Sequence, residues 1–159
     1  MLVLTALVAA VASAFAATAV LTKPRAAEIL PYLTYLRVNF SAGEKARYGE
    51  IMGVKESYFE RVVQNIRDMV DIKKKNNLSV TIGLQMVLMP EYSDQIIPLA
   101  SLGKKLQPDY LIFKHCSDNE DGDLGVNYAG YKKLYKTLKR AESMSDSHYK
   151  VIVKWSKID

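Results

Sequence analysis

Cysteine is nearly missing from this chain. Cys116 is the only one in 159 residues, so no internal disulfide can form, and the sequence does not read as a disulfide-stapled secreted domain. Nor can the chain supply by itself a cluster site that needs several thiolates. Histidine is scarce too: His115 and His148 stand far apart, and neither has a ligand partner at metal spacing. There is no G-x-G-x-x-G and no P-loop, which leaves dinucleotide and Walker-type nucleotide sites without support. The acidic run Asp118 to Asp123 looks at first like a calcium loop, but its ligand spacing fails and no Glu closes it, so it reads as a solvated turn. No charge dominates. The net charge is +5 with the lysines dispersed, and a nucleic-acid partner is not implied. Internal repeats are absent, and the length is too small for a complete eight-fold barrel.

What is present is a globular composition, 49% hydrophobic and 25% charged, enough for one domain with a real core. Met1 to Thr22 is a different material. It carries no charged side chain and is rich in Ala, Val and Leu. Its length matches a bilayer, and Ala12-Ser13-Ala14 and Ala14-Phe15-Ala16 look like signal-peptidase sites. No Lys or Arg precedes the run, however, as a secretory leader would require. Residues 1–22 are therefore set apart as an apolar leader. The expected location is cytoplasmic, with membrane anchoring or export through this segment as the alternative.

From Lys23 the pattern is regular. Pro24 to Tyr32 predicts a short helix. Tyr35 to Gly43 alternates, with Leu36, Val38 and Phe40 on one side of a strand and Arg37, Asn39 and Ser41 on the other. Glu44 to Gly53 is a connection with a possible helical turn. Ser57 and Glu60 have capping-box spacing, and Phe59, Val62, Val63, Ile66, Met69 and Val70 continue as one helical stripe that ends in Lys73, Lys74 and Lys75. Ser79 to Met89 is a second strand with Val80, Ile82, Leu84, Met86 and Leu88 on one face and Thr81, Gly83, Gln85 and Val87 on the other. Asp94 to Leu106 predicts a helix, with Pro98 casting doubt on its first turn. Asp109 to His115 is a third strand, Tyr128 to Arg140 a third strong helix, and Tyr149 to Trp155 a last strand-like alternation. Strands separated by full helices must run parallel.

The fold expected is therefore α/β, an open or partial (β/α) TIM-like barrel. Polar groups gather near the strand ends: Asn39 and Ser41, then Gln85, then Lys114 or His115. Gly83 leaves room for a ligand or a backbone to approach. Such groups either line a ligand site or satisfy one another inside a barrel, and the pattern favours neither. Cys116 sits at a strand end with no base in view, so it reads as a plain small residue.

Leu36-Arg37-Val38-Asn39-Phe40-Ser41-Ala42-Gly43, followed by Tyr48-Gly49-Glu50-Ile51-Met52-Gly53, then a long helix ending in basic residues, then Thr81 to Val87 and Asp109 to Lys114, resembles the second half of a radical S-adenosylmethionine (radical SAM) core. The likeness covers about Lys23 to His115, within a partial radical SAM-like barrel expected over residues 23–127. Residues 128–159 form a C-terminal helix and strand extension, of which Tyr149 to Ile158 is similar, more weakly, to the approach to an auxiliary-cluster (SPASM-like) domain. The resemblance implies S-adenosylmethionine and a [4Fe-4S] cluster as cofactors, an electron donor as partner, and hydrogen abstraction from a substrate. On it, Asn39, Ser41, Gln85 and Val87 would contact S-adenosylmethionine, and Lys114 and His115 would face substrate or serve the structure. Asn39 stands where the family often has Ser, and Ser41 where it often has Asp; both still hydrogen-bond. The CxxxCxxC cluster loop is missing, so the chain is expected to be a fragment that is inactive alone. A non-catalytic binding or interaction module, tethered through residues 1–22, is the alternative. A small phosphate- or sugar-binding α/β domain is a third reading.

Overall fold

The computed structural model describes residues 21–117, 125–126 and 128–155. The segment 1–20 and the acidic run 118–124 lie outside the described residues, and with them the leader and the loop singled out above. Helix α1 (Lys23–Ile29) takes Pro24 in its first turn, where a missing N–H costs nothing, and tightens into a 3-10 turn at Leu30–Tyr32. Strand β1 (Tyr35–Asn39) follows, then α2 (Lys45–Met52), α3 (Ser57–Lys75) and β2 (Thr81–Leu88). A 3-10 segment, Pro90–Gln95, leads into α4 (Ile96–Leu106), β3 (Tyr110–His115), α5 (Tyr128–Lys132), α6 (Tyr135–Glu142) and β4 (Lys150–Val153).

Among the described residues all four strands are parallel and stand in sequence order, β1-β2-β3-β4. The expected parallel α/β architecture is therefore present. Every crossover steps to the next strand in the same direction. Right-handed connections then put all the described helices on one side of the sheet, and the burial pattern agrees. Val38, Ile82, Leu84, Met86, Leu88, Leu111, Phe113, Val151 and Val153 are buried on that side. Over them α1 and α2 pack on α3, α3 on α4, and α4 on α6. Phe40, just past β1, meets Tyr48 of α2 and Phe59 of α3 with ring centroids 5.1 and 5.7 Å away. That aromatic trio fixes both helices against the end of the first strand.

Local differences from expectation have visible causes. The Ser57 capping box does not form. Glu60 is instead held by Lys45 Nζ of α2 at 3.0 Å, and α3 starts from Glu56 without a side-chain cap. Pro98 is tolerated because α4 begins at Ile96, so its ring falls where an N–H would have no partner. The stretch Tyr128 to Arg140 is two helices rather than one. Tyr131 is the reason: its hydroxyl donates to Leu88 O at 2.6 Å and accepts from the Cys116 N–H at 3.1 Å. This pins α5 over the ends of β2 and β3, and the chain turns at Lys133 and Leu134, through bonds to Gly130 and Tyr131, before α6 can run back along the sheet.

The sheet's other end is tied by Asp109. It accepts from Lys73 Nζ at 2.5 and 2.6 Å and from the Ile82 N–H at 2.6 Å, joining the last turn of α3 to the start of β2 and β3.

Burial also pushes up the phenols of Tyr48, Tyr131 and Tyr149. Tyr149 and Tyr131 are 0% and 1% exposed, and loss of water raises both above the ordinary tyrosine range, with Asp146 adding to the effect at Tyr149. The unfolded chain releases these protons near pH 10, while the folded chain holds them. Their contribution to stability is therefore complete below about pH 10 and is lost as pH rises toward the folded values. Urea unfolding between pH 8 and 12 should show stability falling above about pH 10, and Tyr149→Phe should flatten the fall.

Candidate functional site

With all the described helices on one side, the opposite face of the sheet is the more open one among the described residues. Parallel register lines up its side chains in rows: Arg37 beside Gly83, Tyr110 and Lys150, then Asn39 beside Gln85, Ile112 and Ile152, then Val87 beside Lys114. Arg37, Val87, Lys114, Lys150 and Ile152 are exposed. Parallel sheets ordinarily bury both faces, so a face of this kind, partly polar and uncovered by the described helices, is the natural place to look for a ligand.

Its centre is a hydrogen-bonded chain. Arg37 Nε donates to Tyr110 Oη at 3.0 Å and Arg37 Nη1 to Gln85 Oε1 at 3.3 Å. Gln85 Nε2 donates to Asn39 Oδ1 at 3.0 Å. A guanidinium has no acceptor, so Arg37 sets the polarity of the whole chain. The oxygen of Gln85 must face Arg37, its nitrogen faces Asn39, and Asn39 presents its own oxygen inward. One lone pair of each amide oxygen is thus used internally, and the Asn39 amide hydrogens and the remaining Nη hydrogens of Arg37 are left over.

The structure therefore brings Asn39, Gln85, Val87 and Lys114 to one face. Ser41 lies two residues beyond β1, is buried, and does not bond Asn39 or Gln85. His115 points the other way: it is 4% exposed, under α5, with its ring 5.8 Å from that of Tyr131. Lys114 and His115, adjacent in sequence, thus serve opposite sides of the sheet. The space over Gly83 is not open to a ligand. A Cβ there would lie 2.1 Å from the Tyr110 ring, which covers it. The residues that sequence reasoning missed are Arg37 and Tyr110 as members of this chain, and Gln95. The mid-strand glycine was the signal for Tyr110, since a gap in one strand is filled by a bulky neighbour in the next.

Gln95 is 0% exposed and links the loops above the strands. Its Oε1 accepts from the Gly43 N–H at 3.1 Å, and its Nε2 donates to Glu44 and Asp94, both at 2.8 Å. Arg47 grips Asp94 with two nitrogens, at 2.8 and 2.9 Å, and Glu50 at 2.6 Å. The Arg47 fork holds the Asp94 carboxyl below the usual carboxylate range.

Among the described residues no group of three or more His, Cys, Asp or Glu could hold a metal ion. A four-iron cluster takes several thiolates, and Cys116 is the chain's single cysteine; the residues present do not fit the cluster. Among the described residues no helix is long and apolar enough to cross a membrane. No protein-family model and no curated protein sequence matches the chain, which leaves the chemistry of the open face as the ground for a functional reading.

Proposed function

We propose that the open face binds S-adenosylmethionine, as the cofactor-binding half of a radical SAM-like partial barrel. The observation that supports this reading is the Asn39–Gln85 pair, set toward the C-terminal end of β1 on the exposed side of a parallel sheet wound in one direction. Active sites of β/α barrels lie at that end of the strands. The leftover amide hydrogens of Asn39 suit a carboxylate or ribose oxygen, and Val87, exposed farther along β2, offers an apolar surface for a base. The reading extends to binding only. Radical generation needs a cluster, and its thiolates would have to come from outside this chain.

Calorimetric titration of the chain with S-adenosylmethionine tests it. Saturable binding is expected, and Asn39→Leu and Gln85→Leu should each weaken it roughly tenfold, the cost of about one or two lost hydrogen bonds. Absence of saturable heat, or affinity unchanged in both variants, would sink the reading and favour a non-catalytic module.

A further inference from the structure

We infer that the same face carries a receptor for an oxyanion, a phosphate or carboxylate group, centred on Arg37. The first ground is charge. The four strands contain Arg37, Lys114 and Lys150 on the open face and not one Asp or Glu anywhere in their length. At an interface a cation is normally met by an anion, and nothing in the sheet supplies one. The second ground is the direction of the hydrogen-bonded chain. Gln85 Oε1 and Asn39 Oδ1 already accept from within the network, and Tyr110 Oη accepts from Arg37. What remains for a ligand is mostly donors, beside one unused lone pair on each amide oxygen: the outer Nη hydrogens of Arg37, the Tyr110 hydroxyl hydrogen, the second Gln85 amide hydrogen and the Asn39 amide hydrogens. Such a surface is complementary to a group rich in acceptors and poor in donors.

The third ground is orientation. Arg37 is exposed, yet it is fastened on two sides, to Tyr110 and to Gln85. Its planar fork is therefore fixed before a ligand arrives, which lowers the entropic cost of capture. Lys150 lies in the row of Arg37, three strands away or about 14 Å by strand spacing, and Lys114 lies farther along the strands. Both add to the attractive field without crowding the centre. A second copy of the chain placed face to face would set cation against cation, so a self-association partner is disfavoured.

This inference uses the face described under the proposed function but not the identity of the cofactor. It stands if S-adenosylmethionine fails to bind.

The full chain is titrated with inorganic phosphate and pyrophosphate, and separately with citrate as the carboxylate source, at matched ionic strength. Chemical shifts of the Arg37 and Asn39 side-chain groups are followed by NMR. Saturable shifts are expected at both groups, with the two arms showing which oxyanion is preferred. Arg37→Gln should weaken binding roughly tenfold or more, and Arg37→Lys should recover only part, since a point charge lacks the fork. Lys114→Gln, at an exposed position, should weaken binding a fewfold with folding intact, while Lys132→Gln on α5 should change nothing. Three results would overturn the proposal: no saturable shift in either arm, equal affinity in Arg37→Gln with a native spectrum, or equal losses in Lys114→Gln and Lys132→Gln. A concentration-dependent dimer that hides the face in sedimentation would also overturn it, in favour of self-association.

Discussion

Gly43→Ala is expected to destabilise the fold by about 3 kcal/mol, the upper range for forcing one methyl into a packed interior. A Cβ at this position would lie 2.2 Å from the Pro98 carbonyl carbon and 2.3 Å from the Leu99 nitrogen. Both are main-chain atoms in the first turn of α4, and neither can swing aside as a side chain would. Relief requires the loop after β1 to move away from α4. That motion would also break the Gly43 N–H bond to Gln95. Denaturant unfolding of the variant measures the loss. A change under about 1 kcal/mol would mean that the loop and α4 are not packed as described.

Tyr149→Ala should cost about as much or more, about 4 kcal/mol, the range for removing a buried aromatic ring. Tyr149 is 0% exposed and precedes β4. Its ring covers Gly103 of α4 so closely that a Cβ on that glycine would lie 2.7 Å from the ring. Its hydroxyl donates to Ala100 O at 3.2 Å. Tyr149→Phe keeps the ring and removes only the hydroxyl, so it should cost about 1 kcal/mol. The contrast between the two variants separates packing from hydrogen bonding. Similar losses in both would show that the hydroxyl, not the ring, holds β4 to α4.

Much of this architecture can be read from local pattern, and the reason is periodicity. Alternation in Leu36 to Phe40 and in Val80 to Leu88 reports which side chains meet the helices, because a strand has a period of two. The helical stripe through Val62, Ile66, Met69 and Val70 does the same at its own period, and these residues are buried. Other features depend on partners far along the chain and leave no periodic trace. Tyr131 fits the apolar stripe of a continuous helix. Its hydroxyl nevertheless bonds Leu88, forty-three residues earlier, and the helix breaks around that anchor. Glu60 has the spacing of a cap, but Lys45 is close enough to claim it. Asn65 and Gln95 are polar yet buried, and nothing in their neighbourhood announces this.

The candidate face divides in the same way. Asn39, Gln85, Val87 and Lys114 fall together because parallel register converts a sequence alternation into a spatial row. His115 does not join them, since one step along a strand is a change of side. The role of Arg37 in orienting Gln85 and Asn39 could not be read from residue types alone. It arises from which nitrogen meets which oxygen.

Gln95 carries a mechanical consequence. Its single carboxamide grasps the segment leaving β1 through Gly43 and Glu44, while its own backbone belongs to the segment leaving β2. Two connections that could have flexed independently are thereby riveted into one plate above the first two strands. A molecule that pushes on either connection must displace both, and the strain would arrive at the first turn of α4 undamped.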